Sequence, residues 1–400
     1  MSQFSMQKQS ARNLVISPKV QLNWGTRLAD GNLTVRQRFN PSSVFEPIAT
    51  RRSDQMASGK GTEFATNTQI TAWDTKGTLT SEADAFLLGW MLSLLFGQET
   101  VTGAGPYNHL FTIPPIEATM TPTTMYIEET SDVKKYLLDM CASSLSLTVP
   151  ERGSVTAALD MVGTGRWTPA AFGGALPALV LAKYLLGNDM QISAALAPVD
   201  FTGDTSTGTN TILNASSIVG LAAGQVLSGA GIPVGTTIVS AVGSTVTMSA
   251  NATATAAGIA IVATPASNFV GRQKGLSIKV DRQAAPFESS GDGLYSSSVA
   301  SGSTKYSVEC SIAANSTDDV NGWFENQIPL ALTVQTNPAL AYGFGFTFPN
   351  ALVKASKLAN IEDKVIWGIS FDETSCTQVG NTPAISAFVN NDTPAYLVAA

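Results

Sequence analysis

Hydrophobic and polar positions alternate with a period of two along most of this chain, and each such run predicts a strand. In the first half the runs are NLVISPKVQLNW, TQITAWDTKGTL, HLFTIP, TTMYIEE, SSLSLTVP and SVTAALDMVG. Glu151, Arg152 and Gly153 supply turn chemistry between the last two. One segment has a different period. In TSEADAFLLGWMLSLLFG, the residues Phe86, Leu87, Trp90, Met91, Leu94 and Leu95 recur at helical spacing and predict a helix with one apolar face. Ser81 followed three positions later by Asp84 has the capping-box form, with Asp84 in place of the usual Glu or Gln.

The second half repeats that order. LSIKVDRQ and TKYSVECSI read as strands. NSTDDVNGWFENQI then places Ser316 three before Asp319 and carries Val320, Trp323 and Phe324 on one side, which predicts a second capped helix. LALTVQT, GFGFTFP, KVIWGISFD and AISAFVN follow as strands. The expected architecture is mainly β, with two tandem domains each flanked by an α-helix. The pattern divides the chain into 1–175 for the first domain and 176–203 with 267–400 for the second.

Between the two pieces of the second domain lies a stretch in which, after Asp204, no charged residue occurs until Arg272. Its centre, GQVLSGAGIPVGTTIVSAVGSTVTMS, is too interrupted by Gly, Pro, Ser and Thr to be a membrane span. Thr237, Val239 and Ala241 alternate with Ile238, Ser240 and Val242, and Gly243-Ser244 reads as a hairpin turn into Thr245–Met248. Residues 204–266 are therefore expected to be a small inserted β-module.

Composition changes the picture in two ways. Only 13% of residues are charged and 44% are hydrophobic, where about a quarter charged is usual. Such a surface suits a protein covered by neighbours, and the net charge of -7 argues against a nucleic-acid clamp. The charge is also uneven. In the first sixty residues Lys8, Arg12, Lys19, Arg27, Arg36, Arg38, Arg51, Arg52 and Lys60 face only Asp30, Glu46 and Asp54, while the rest of the chain is acidic. From Arg36 to Gly61 the periodicity is weak and two prolines occur, so a long loop is expected there. Arg36, Arg38, Arg51, Arg52 and Lys60 are its candidate contacts to an acidic face of another copy.

Candidate chemistry is sparse. His109, the single histidine, stands at the start of a predicted strand, where a structural role is expected. Metal sites built on several His or Cys residues lack the ligands. Gly59-Lys60-Gly61-Thr62 resembles the end of a phosphate loop, but Asp54 stands where its first glycine belongs. GAGIPVG lacks the GxGxxG spacing, and no GxSxG surrounds a serine. The acidic pairs are Glu128-Glu129 and Asp318-Asp319, the latter suited to a helix N-terminus. No enzymatic activity and no cofactor are expected. Cys141, Cys310 and Cys376 are too far apart to suggest a framework, so buried free thiols are expected. MSQFSMQKQSARNLV has no apolar core of a signal peptide, which predicts folding in a cytoplasm. AFLLGWMLSLLF is too short to span a bilayer, so no membrane insertion is expected.

The order TSEADAFLLGWMLSLLFG, YNHLFTIPP and KKYLLDMCASSLSLTVPERGSVTAALDMVG resembles the major tail tube proteins of long-tailed (siphovirus-type) bacteriophages. FTFPNALV, VIWGISFD and AISAFVNND are similar to the closing part of that family. The uncharged stretch is similar to small β-modules inserted in phage tail and fibre proteins. The resemblance implies β-barrel or sandwich tube domains that form stacked rings, with viral DNA passing through the lumen without specific binding. It implies a virion-tail location, synthesis in the host bacterial cytoplasm, and contacts with other tail proteins. Two tube domains per chain imply three chains per ring, with six the alternative. A phage fibre or adhesin-type binding protein is the alternative function.

Overall fold

Runs rich in Val, Ile, Thr and aromatic residues form long strands, and the alternation of their burial decides which face meets the core. The computed structural model describes residues 13–399 apart from 38–42, 54–67, 114–119, 131–132, 197, 222, 265–268, 290, 314–323, 326–328, 338–339, 362–363, 373, 375 and 377–382. The protein is mainly β, as expected. Eight strands and one helix organise it: β1 (Val44–Ser53), β2 (Thr68–Glu82), α1 (Ala85–Phe96), β3 (Lys134–Pro150), β4 (Thr156–Gly163), β5 (Phe269–Asp281), β6 (Lys305–Ala313), β7 (Ala355–Ile361) and β8 (Lys364–Asp372).

These eight strands make one continuous antiparallel sheet in the order β1-β2-β4-β3-β5-β6-β8-β7. The first four come from the first half of the chain and the last four from the second. Two long strands leave this sheet at one end and enter others. The first part of β3 pairs with Thr123–Glu128 and Trp167–Thr168. The start of β5 pairs with Met190–Leu196. From there a second layer runs through Leu330–Thr336, Gly343–Ala351, Ser386–Asn391, Tyr107–Thr112 and Gln98–Thr102. Its last two strands belong to the first half, so a first-half hairpin completes a second-half layer.

The main core lies on one face of the eight-stranded sheet. It takes Phe45, Leu79, Leu145, Leu159, Ile278, Val308 and Phe371 from the sheet and Phe344, Phe346 and Val389 from the second layer. Helix α1 is buried within the same core. A helix of twelve residues is too short to hold itself in water, so packing decides its existence. Every residue of α1 except Phe86 is buried. The expected single apolar face is therefore corrected: the helix is enclosed on all sides. Trp90 donates its indole N–H to the Ser17 carbonyl at 2.9 Å. A side chain at Gly89 would stand 2.6 Å from the Tyr396 hydroxyl, so only glycine lets the C-terminal segment approach.

The cap also differs from expectation. Ser81 lies inside β2, and Asp84 is itself the N-cap, accepting from the N–H groups of Phe86 at 3.0 Å and Leu87 at 2.9 Å. A strand that runs to Glu82 leaves no room for a cap at Ser81. Of the second predicted helix, Phe324 and Glu325 are helical, and Phe324 packs on the main core. Ser316, Asp318, Asp319, Val320 and Trp323 lie outside the described residues.

Val199–Thr205 to Ala256–Thr264 form a separate unit with its own six-stranded sheet. Phe201, Ile212, Leu227, Ile238, Val246, Met248 and Ile261 fill its core, which is distinct from the main one. Gly243 and Ser244 make the hairpin turn between Ile238–Val242 and Thr245–Met248, with Gly243 at φ +66. A positive φ there suits glycine, which has no Cβ to clash. The strict alternation expected along 237–242 is interrupted by a bulge between Ile238 and Ser240. Ile238 and Ala241 thus face the core, while Val239 and Val242 face solvent. The last strand returns to the first: Leu227 donates to Thr236 at 2.7 Å and Ile238 to Gln225 at 2.8 Å. The sheet is a closed small barrel, and closure removes its edges.

Candidate assembly surfaces

The two outer strands of the eight-stranded sheet are the first candidates. Among the described residues β1 pairs only with β2, and β7 pairs only with β8. Each therefore presents backbone donors and acceptors on one side, although the Phe45 carbonyl of β1 already accepts from Lys135 Nζ at 2.7 Å. The expected loop from Arg36 to Gly61 is corrected here, because its middle is β1. Phe45 is buried while Val44, Glu46 and Ile48 are exposed, which is strand alternation. Pro47 in the middle of the run hid that alternation. Proline is tolerated in a strand where its missing N–H would point away from the ladder, and that condition is met at an edge.

The sequence order of the sheet is its second property. In the first half the strands stand as first hairpin β1-β2, then β4-β3. In the second they stand as β5-β6, then β8-β7. Helix α1 follows β2, and the helical pair Phe324-Glu325 follows β6. The join between the halves is β3 against β5, seven residue pairs from Gly275↔Pro150 to Asp281↔Ser144. By position in this order β3 corresponds to β7, and β5 corresponds to β1. The two open edges are thus the counterparts of the two strands already joined inside the chain.

The face of the sheet away from the core is rich in hydroxyls and acids. Thr78 and Ser144 donate to the two oxygens of Asp160 at 2.6 and 2.7 Å, bridging β2, β4 and β3. Ser146, Thr148, Ser277 and Ser307 continue the row. Glu46, Asp74, Glu82, Asp160, Asp281, Glu309 and Asp372 outnumber Lys76, Lys279, Lys305 and Lys354 there. Lys354 is paired with Asp372.

The basic residues singled out in the sequence do not gather in one place. Arg36 is half-buried, and its Nε donates to Asn13 Oδ1 at 3.0 Å, so its contact is within its own chain. Arg51 and Arg52 are exposed at the far end of β1. Arg38 and Lys60 lie outside the described residues. Glu128 and Glu129 form ion pairs with Lys134 at 3.3 Å and Lys135 at 2.9 Å.

Two buried polar knots were invisible in the sequence. Asp139, at φ +57 where β3 changes sheets, accepts from Gln21, Gly25, Thr164 and Arg166. His109 Nδ1 stands 2.6 Å from Glu99 Oε1, and both Glu99 oxygens accept from the Tyr396 N–H. Burial pushes the Tyr396 phenol far up. That knot pins the C-terminal segment to the strands after α1. A cavity of about 510 Å³ lies across β3, β5, β6 and β8, and its lining includes one thiol, Cys310. Burial pushes it up to about 12, so it stays protonated near neutrality. Cys141 and Cys376 are also buried and free. Among the described residues no group of three or more His, Cys, Asp or Glu could hold a metal, and no helix is long and apolar enough to cross a membrane.

No protein-family model matches the sequence, and a comparison with curated proteins finds no match.

Proposed function

We propose that this chain is the repeating unit of a hollow tube, the major tail tube protein of a long-tailed bacteriophage. One observation carries the reading: the twice-written strand order, with the internal β3–β5 join and open edges that are its counterparts. In this reading β7 of one copy pairs with β1 of the next, as β3 pairs with β5 inside each chain. Pro47 withholds one donor from that seam and the Phe45 carbonyl is held by Lys135, so the N–H and C=O of Ala49 would be among the groups that hold the partner strand. Each half is then one tube-type domain of sheet plus flanking helix, and three chains complete a ring of six equivalent units. The domain limits are then 1–175 for the first domain and 176–198 with 265–400 for the second; the barrel of Val199–Thr264 begins five residues before the expected 204 and is an accessory module outside the ring.

The face away from the core would line the channel. Hydroxyls with an excess of carboxylate repel phosphate and release few counterions on contact, so DNA would slide past without sticking. The low overall charge fits surfaces covered by neighbours. Arg51 and Arg52, exposed at the far end of β1, would lie toward the next ring. The test is negative-stain microscopy of the purified protein. Annular or tubular particles are the expected result. Thin fibres, or single particles at high concentration, would overturn the tube reading and favour the adhesin-type one.

A further inference from the structure

The segment joining the halves, residues 176–187, is held as a taut strap. Val180 donates to the Arg36 carbonyl at 3.2 Å, Leu185 to Ala83 at 3.0 Å and Gly187 to Gly153 at 2.9 Å. Ala85 donates to the Lys183 carbonyl at 3.0 Å, and Val155 to that of Leu185 at 2.9 Å. Leu185 is the buried anchor at 3% exposure, yet Leu181 is 88% exposed and Tyr184 55%. Leu179 and Leu186 are also exposed. An unfastened linker could turn such side chains inward. This one is fixed at five backbone points and cannot, so it keeps an apolar row in water.

A second apolar group stands at the other end of the same strands. Phe287, Leu294 and Tyr295 are exposed in the connection between β5 and β6. This connection is also fastened, by Trp73 N–H to the Leu294 carbonyl at 2.8 Å. Along β2, Trp73 and Ala83 are ten residues apart, roughly 33 Å at strand rise. The strap meets the chain at Ala83 and the β5–β6 connection meets it at Trp73, so the two groups lie at opposite ends of the sheet.

We infer that the strap of one copy docks on the β5–β6 connection of a second copy, forming the axial contact between rings. The inference rests on the ring reading above, in which all copies point the same way and the two ends of the sheet face each other. Two different patches meeting head to tail make a heterologous contact, which does not close and so propagates a stack. Each patch supplies the apolar partner the other lacks.

Leu181→Asp with Tyr184→Asp tests it. Both side chains are exposed, so the fold should stand. The expected result is intact rings with the concentration needed for tubes raised about tenfold or more, since each tenfold is 1.4 kcal/mol. As a second measurement, Leu181→Cys with Phe287→Cys should give interchain disulfide ladders on oxidation of tubes, because the native thiols are buried. Tubes of unchanged length without ladders would overturn the inference while leaving the ring reading intact. Loss of the rings themselves in the Asp variant would also overturn it, by placing the strap in the ring contact. Absence of rings from the unaltered protein would bring down the ring reading and the inference together.

Discussion

The inserted barrel and the eight-stranded sheet are built from similar residues and solve the edge problem in opposite ways. The barrel at Val199–Thr264 returns its last strand to its first and satisfies its own backbone. The long sheet ends in β1 and β7, each with one neighbour among the described residues. Eight strands are enough to close a barrel, but among the described residues β1 and β7 are not paired with each other. The contrast teaches that charge depletion has two origins in one chain. In the barrel it accompanies a self-contained fold whose turns need Gly and Ser. In the sheet it accompanies, in our reading, a surface completed by other copies.

The largest expected effect comes from blocking an open edge. If the Pro47 N–H position faces outward, the N–H of Ala49 does too, because strand groups alternate with a period of two. Ala49→Pro then removes an outward donor without touching the β1–β2 ladder. The net loss is about 1 kcal/mol per seam, repeated at every seam, and rings should disappear from sedimentation profiles while the melting temperature barely moves. Persistence of rings would break the comparison.

Phe201→Ala empties the core of the barrel, where such a truncation costs about 3–5 kcal/mol. The expected outcome is two separate thermal transitions, with only the barrel's moved. A shift of the main transition by the same amount would show that the barrel and the sheet are one cooperative unit. Deleting 205–263 sharpens the same point, with ring formation expected to survive.

Reversing Arg51 and Arg52 to Glu should weaken tube growth several-fold at low salt, with the difference fading as salt screens exposed charges. Tube length measured against ionic strength checks it, and unchanged growth removes these residues from the contact.

The smallest effect concerns Asp84. Burial raises its carboxyl above the usual 3.8 despite the bonds from Leu87 and Phe86. A raised value in the folded protein means its contribution is fully present below 3.8 and is lost as pH climbs through the folded value. Asp84→Asn keeps the cap and cannot ionise. The variant should match the parent at low pH and lack that part of the decline above it, measured as the difference between two denaturation series.

Much of this architecture was legible without coordinates. The runs LSIKVDRQ, TKYSVECSI, LALTVQT, GFGFTFP and KVIWGISFD fall almost wholly in strands, and Gly243-Ser244 forms the expected turn. The misses have physical causes. Pro47 masked β1, although a single proline in an alternating run is itself a signal of an edge strand. Ser81 looked like a cap because spacing alone cannot say where a strand releases the chain. The apolar row LPALVLAKYLLG has neither period two nor period 3.6, so the sequence assigns it no element.

Local physics determined strands, turns, one helix and an uncharged module, because those depend on steric preferences and on which neighbours in the chain are apolar. Only the tertiary structure decided which strands stand side by side, that the first-half β3 joins the second-half β5, and which two strands have a single neighbour among the described residues. Pairing is a choice among many distant partners with nearly equal backbone hydrogen bonds. It is settled by the core that all the strands share, and no stretch of sequence contains that core by itself.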